Sequence, residues 1–323
     1  MLDVIVSLTL AAQEYGYVKP EISESLTLDI AEGRHPALEN LVGRDRFIAN
    51  SIHFSPKERL FLITGPNMAG KSTFMRQVAL ITLLAHTGSF VPAESANIGL
   101  VDRIATRVGA ADRIGRGQST FMVEMNEMAR ILRQSTEYSL LIIDEIGRGT
   151  STFDGMALAW AIVEDIHTRL ACRTLFATHY HELTSLEDQL SQLRNLSVVV
   201  EEKNHEIIFM HKVVPGKASG SYGVEVAKLA GLPKHIVEQA KEILEGLEKN
   251  SRKKPLQRSQ QMSLFGSPVT TPSHPAAAEV RAAAVPPHLL ELEKTLRAIN
   301  LDQCTPLNAL LALKSIKDQL PLQ

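Results

Sequence analysis

The sequence predicts an α/β fold in which a mostly parallel sheet is flanked by helices. Three observations predict it. Apolar runs at Leu60–Thr64, Ser139–Ile143 and Thr174–Thr178 alternate with amphipathic patterns over 71–86, 121–135 and 154–169. The second and third runs lack polar alternation, as strands buried on both faces do. The segment Gly65-Pro66-Asn67-Met68-Ala69-Gly70-Lys71-Ser72 also joins the first run to the first helix. Strand, helix and strand in succession imply parallel pairing.

That glycine-bounded segment has the spacing of a phosphate-binding loop in the context the motif requires. Gly65 and Gly70 allow a tight turn whose N–H groups converge on phosphate oxygens, and the following helix adds partial positive charge. Lys71 is expected to reach the β- and γ-phosphates of ATP, and Ser72 to ligate Mg²⁺. The run Leu140-Leu141-Ile142-Ile143-Asp144-Glu145 supplies the second half of such a site. Asp144 is expected to hold Mg²⁺, usually through water, and Glu145 to act as general base. An apolar strand ending in two acids is weak alone, since many strands leave a core that way; the loop at 65–72 gives it meaning.

His179 ends the next apolar run, at the sheet edge where ligands bind. It reads as a γ-phosphate sensor. Standing alone it would read as a hydrogen-bonded loop histidine. His179 and His181 as a metal pair lack a third ligand at usable spacing.

Composition bounds the rest. The 323 residues are 44% hydrophobic and 22% charged, with a formal net charge of −2, so a strongly basic nucleic-acid footprint is missing. Cys172 and Cys304 are the only cysteines, which excludes a disulfide framework and fits a reducing compartment. The apolar run Val4–Ala12 is too short to span a bilayer, and Asp3 sits where a signal peptide carries positive charge. It reads as part of a buried helix within 1–20, and the protein as cytoplasmic. That helix opens the chain with no cap or turn before it, which points to a piece of a larger protein.

Beyond Gly216 and Gly220 come two helical patterns, one ending at Gly231 and one with Pro233 in its first turn. The second carries Ile236, Val237, Ala240, Ile243, Leu244 and Leu247 on one face. Residues 234–249 hold three Lys against four Glu, poor attraction for DNA phosphates, so the pair suits docking on a partner subunit better than DNA binding. From 251 to 288 the chain is basic, then rich in Pro, Ser, Thr and Ala, and reads as a disordered linker. Its Arg252-Lys253-Lys254 run reads as a solvated hinge. Helical patterns return at Leu289–Ile299 and after Thr305-Pro306.

Specific motifs carry a family resemblance. Gly65 to Thr73, the run Gly117-Gln118-Ser119-Thr120-Phe121-Met122-Val123-Glu124-Met125, Asp144 to Thr152, and Ala177-Thr178-His179-Tyr180 resemble the MutS family of bacterial DNA mismatch repair proteins. The resemblance covers essentially the whole chain and matches the C-terminal part of such proteins. It implies residues 1–22 as the end of a lever region, 23–215 as an ABC-type ATPase, and 216–250 as a helix-turn-helix dimerisation element. It further implies 251–288 as a linker and 289–323 as a helical oligomerisation tail. The family's mismatch-reading domain would lie upstream.

The same resemblance implies a homodimer that sandwiches two ATPs, each bound by one subunit's loops and closed by Ser119 of the other. From the residues alone, Gln118-Ser119-Thr120 is a plain helix cap ahead of the Met122, Met125, Ala129 and Leu132 stripe. Phe47 and His211 match residues that sandwich the adenine, although Phe47 would otherwise read as a core aromatic. Asn67 and Thr73 complete the loop. Ala69 stands where some relatives carry Gly, and Leu307 in the tail where some carry Arg. Gly147–Gly155 resembles a loop crossing between the two sites. Gln261-Met262-Ser263-Leu264-Phe265 resembles a sliding-clamp binding pentapeptide, and the tail implies tetramers. A MutL-like repair factor and mismatched DNA, held by upstream domains, are implied partners; no membrane is.

Other classes fit less well. Recombination or chromosome-structure ATPases of the ABC type carry long heptad arms, and transporter domains carry Leu-Ser-Gly-Gly-Gln. The paralogous branch of the family ends in a nuclease module. A degenerate ATPase scaffold would not keep Lys71, Asp144 and Glu145.

Overall fold

Why the central strands sit in the core is visible in their side-chain alternation. In the computed structural model, which describes residues 2–109, 119–203, 206–218, 220 and 222–252, every residue of Leu60–Thr64 is buried. Phe61 and Ile63 point into one apolar cluster, Leu60 and Leu62 into another. Leu140 and Ile142 share the first cluster, Leu141 and Ile143 the second. With a side-chain period of two, such strands need an apolar layer on each face.

In chain order the elements are α1 (Leu2–Tyr15), β1 (Glu21–Ser23), β2 (Leu28–Gly33), α2 (Pro36–Val42), β3 (Asn50–Phe54), β4 (Leu60–Thr64) and α3 (Lys71–His86). There follow β5 (Ser95–Gly99), β6 (Ile104–Arg107), α4 (Thr120–Gln134), β7 (Leu140–Asp144), α5 (Thr152–Asp165) and β8 (Arg173–Ala177). The long strands β9 (Leu193–Lys203) and β10 (Glu206–Pro215) and the helices α6 (Gly223–Leu229) and α7 (Lys234–Arg252) complete the described chain.

Six strands form the main sheet in the order β10-β9-β4-β8-β7-β6. Its pairs are parallel from β9 to β6, and only β10 runs antiparallel, against β9. On one face lie α3, through Phe74, Met75, Val78 and Ile81, and a second sheet, β1-β5-β2-β3, through Leu28, Ile30, Ile52, Phe54 and Ile98. The other face takes Met128 and Ile131 of α4 and Ala159, Ile162 and Val163 of α5. The expected mixed α/β architecture is therefore present.

The expected helix at 71–86 and strand at Leu60–Thr64 match their observed bounds. Two strands are displaced by one residue. Ser139 stays outside β7 because its hydroxyl donates to Asp102 Oδ1 at 2.8 Å and accepts from Thr136 N–H. Thr178 stays outside β8, its hydroxyl accepting from the Tyr180 N–H at 3.0 Å. The four-stranded second sheet was not anticipated.

One expectation is corrected. The first helix is not buried: Leu2, Val4, Ile5, Val6 and Leu10 are exposed, and Ala12 is its one buried residue. Its apolar residues outnumber the surface this chain offers them. Likewise Ile236, Ile243 and Leu247 of α7 are exposed while Val237 is buried. No helix among the described residues is long and apolar enough to cross a membrane.

Candidate functional site

Parallel registry brings the C-terminal ends of three strands together. Ile63 of β4 and Asp144 of β7 both pair with Ala177 of β8. Backbone bonds extend the join: Glu145 N–H donates to Ala177 O at 3.0 Å and Thr178 N–H to Ile63 O at 3.1 Å. The loop after β4, the acids after β7 and the histidine after β8 thus share one edge, the ligand edge of such sheets.

The loop between β4 and α3 turns back through Gly65 (φ +134°), Met68 (φ +70°) and Gly70 (φ +105°). At Gly70 a side chain is disfavoured by the left-handed backbone and crowded by the His211 ring, which a Cβ would meet at 3.2 Å. Buried Lys71 donates to Gly65 O at 2.6 Å and Pro66 O at 3.0 Å. Burial lowers its pKa, the carboxylates of Glu145 and Asp144 raise it, and Arg148 lowers it further.

Ser72, in the first turn of α3, donates its hydroxyl to Asp144 Oδ2 at 2.6 Å. This bond joins the loop to the acidic strand end. The other Asp144 oxygen, Oδ1, is buried without a hydrogen-bond partner. A hydroxyl and a carboxylate with an unsatisfied oxygen are hard donors of the kind Mg²⁺ takes when phosphates and water fill the remaining positions, so the residues fit that ion.

Glu145 sits at φ +54°, a left-handed conformation that costs a non-glycine residue about 1–2 kcal/mol. The turn aims its half-buried carboxylate beside the loop rather than along the strand. Its Oε1 pairs with Arg148 Nη2 at 2.7 Å. Burial raises its pKa first; Arg148 opposes that, Asp144 adds to it and Lys71 opposes it. The His179 ring lies against that of Tyr180, tilted by 40° with ring centroids 4.0 Å apart. Desolvation and the charges of Arg148 and Lys71 lower its pKa, which favours the neutral imidazole. Pro66, Asn67, Met68, Gly70, Lys71, Ser72, Thr73, Glu145 and Arg148 line one cavity of about 320 Å³.

A second cavity, of about 330 Å³, adjoins it and shares Met68, Gly70 and Thr73. Phe47 and His211 both line it, with apolar Leu38, Val42, Ile48 and Phe74. Phe47 is thus a half-buried cavity wall rather than a core aromatic. His211 Nδ1 lies 3.0 Å from the carbonyl of fully buried Ala69. Of the nucleotide-binding residues expected in the loop and the first turn of α3, all but Gly65 and buried Ala69 line one or both of these cavities, and Asp144 lines neither.

Ser119 lies apart from this group within the chain. It caps α4, its hydroxyl accepting from Met122 N–H at 3.2 Å, and it is exposed. Gly117 and Gln118, the pentapeptide Gln261–Phe265, the linker beyond Arg252 and the tail at 289–323 lie outside the described residues.

Sequence reading missed three supports. Buried Glu124 of α4 accepts from Gly147 N–H at 2.6 Å and faces Arg107 at 3.6 Å. Tyr180 donates its hydroxyl to Gly147 O at 3.0 Å, so the N–H and the C=O of one glycine are both held by side chains. Asn50 ties β3 to β10. Arg148 had a usable signal, three residues beyond Glu145; Glu124 and Asn50 had none, because their partners are distant in sequence.

Comparison with known proteins identifies the family. The family model "MutS domain V" matches residues 61–248. The DNA mismatch repair protein MutS of Chlorobium phaeovibrioides is 48% identical over 322 residues, 98% of this chain and 35% of that protein. Its counterpart in Rhodopseudomonas palustris is 48% identical over 328 residues, covering 99% and 35%, and that of Clostridioides difficile 57% identical over 250 residues, covering 77% and 26%. The chain spans about a third of the length of the first two. With the matching model extending over more than half of its residues, from β4 through α7, the chain belongs to the MutS family of DNA mismatch repair proteins.

Proposed function

We propose that this chain binds and hydrolyses MgATP as the nucleotide-driven part of a mismatch repair protein. The observation that carries the reading is the 2.6 Å bond from Ser72 to Asp144. It joins the loop that would take the phosphates to the strand end that would take the cation, and Asp144 Oδ1 lacks a partner.

Phe47 and His211 would flank the adenine, and the backbone from Pro66 to Gly70 would cradle the phosphates. Lys71 would exchange its two carbonyl partners for β- and γ-phosphate oxygens. Ser72 and Asp144 would hold Mg²⁺, which neutralises charge developing on the phosphates when bound. Glu145 would take the proton of the attacking water, Arg148 keeping its carboxylate ionised against burial. Neutral His179 would donate a hydrogen bond to the γ-phosphate.

On the same reading the site is completed in a homodimer, Ser119 of a second copy offering its hydroxyl and helix N-terminus to the γ-phosphate. ATP closes the dimer and hydrolysis reopens it, with upstream DNA-clamping domains responding. The exposed face of α7, in a 216–250 dimerisation element, suits contact with a second copy, and the remaining domain divisions follow the expectations above. Gln261–Phe265 would dock a sliding clamp, the tail would join dimers into tetramers, and a MutL-like factor would be recruited, all in the cytoplasm. Titrating Lys71→Ala with MgATP tests the core of this: binding should be abolished, and parent-like turnover would sink the assignment.

A further inference from the structure

We propose that Asn50 is a positioning residue for base recognition, its side-chain amide locking the bulge of β10 that carries His211. The proposal rests on reading the cavity between Phe47 and His211 as the base site.

His211 does not sit in regular strand. Its φ is +53°, and the β9–β10 register shifts between Phe209 and Val213. A histidine in the left-handed region persists only where its surroundings hold it there. Asn50 does so from β3. Its Nδ2 donates to His211 O at 2.9 Å, and its Oδ1 accepts from Val213 N–H at 2.7 Å. One amide thereby replaces the ladder bonds that the bulge gives up. The same Nδ2 lies 3.3 Å from Ile48 O, so it fastens the backbone of both Ile48 and His211, residues on the wall of the base cavity.

Asn50 is itself firmly held. It is 4% exposed, and buried Gln77 donates to its carbonyl at 3.4 Å. Beside it Lys212 reaches Glu32 at 3.1 Å and Ala49 O at 2.8 Å, tying the bulge to the second sheet again. The outcome is a histidine ring aimed at Ala69 O, over the loop, from a strand at the sheet's edge. Asn50 lines the base cavity and not the cavity around Lys71, Ser72 and Glu145, so its effect should fall chiefly on the base.

The test compares two ligands on the full 323-residue chain by calorimetry: MgATP, and magnesium tripolyphosphate, which has phosphates and no base. Asn50→Ala should weaken MgATP about tenfold, the value of one or two oriented contacts, and leave tripolyphosphate binding unchanged. His211→Ala should weaken MgATP at least as much, and the double variant should be no weaker than His211→Ala alone. If Asn50→Ala fails to fold by circular dichroism, Asn50→Asp carries the same comparison, since it keeps the acceptor for Val213 and loses the donor to His211. Equal weakening of both ligands, parent-like MgATP binding, or additive losses in the double variant each overturn the proposal. Parent-like MgATP binding by His211→Ala would instead refute the base site itself, and with it the proposal.

Discussion

Arg148 Nη2 lies 2.7 Å from Glu145 Oε1, across three residues of a turn that Glu145 enters at φ +54°. The pair sets the charge of the proposed base. Burial raises the Glu145 pKa and Arg148 is the largest influence lowering it. Removing the guanidinium leaves burial and Asp144 less opposed. Arg148→Ala should therefore shift the acid limb of the ATPase pH profile to higher pH and cut turnover roughly two- to tenfold at neutral pH. A pH–rate series on parent and variant checks it; an unmoved acid limb contradicts it.

Glu145→Gln separates binding from chemistry. The amide keeps the shape and cannot accept a proton, so MgATP should still bind while hydrolysis slows about 10²–10⁴-fold. Stability should move the other way. A carboxylate whose folded pKa is raised is costly when ionised; the cost is absent below its unfolded pKa and complete above the folded one. The variant should thus melt higher than the parent at pH 8, with the gain vanishing near pH 4. Thermal scans at the two pH values check the sign.

Gly147 and Gly155 pack backbone to backbone beneath the site. A Cβ on Gly155 would collide with Gly147 O and the Tyr180 hydroxyl. Gly155→Ala should cost about 1–3 kcal/mol through this overpacking, whereas Tyr180→Phe should cost only about 1 kcal/mol for its lost bond to Gly147 O. Urea titrations give both values, and a neutral Gly155→Ala would contradict the contact.

What the sequence discloses follows from range. The loop at 65–72, the strand ends at Asp144 and His179 and the helix at 71–86 are local patterns whose periodicity and glycines stand on the page. The second sheet is not, because β1 has three residues and its partner β5 lies more than seventy residues away. Arg173 shows the same limit. It lies just before the expected strand Thr174–Thr178, yet it is 1% exposed and donates to the carbonyls of Gly99, Leu100 and Tyr138. Nothing adjacent in sequence announces carbonyls from two remote segments. Phe47 and His211 carried no signal of their own; only the resemblance picked them out, and the cavity then brought them together.

Ser119 is the residue for which one observation serves two readings. As a cap it accepts from Met122 N–H, and losing that bond costs about 1 kcal/mol of helix stability. A role across the dimer demands more than stability. Ser119→Asn keeps a capping side chain, so it should fold like the parent and still lose turnover. Complementation makes the test sharper. Ser119→Ala and Lys71→Ala should each be inactive alone. In a mixed dimer, the Ser119→Ala subunit supplies an intact loop and acids, and the Lys71→Ala subunit supplies an intact Ser119, which restores one of the two sites. Random exchange at equal concentrations makes half the dimers mixed, so about a quarter of parent activity should return. A mixture that stays inactive after subunit exchange, itself verified by differently tagged copies, would show that Ser119 acts only within its own chain.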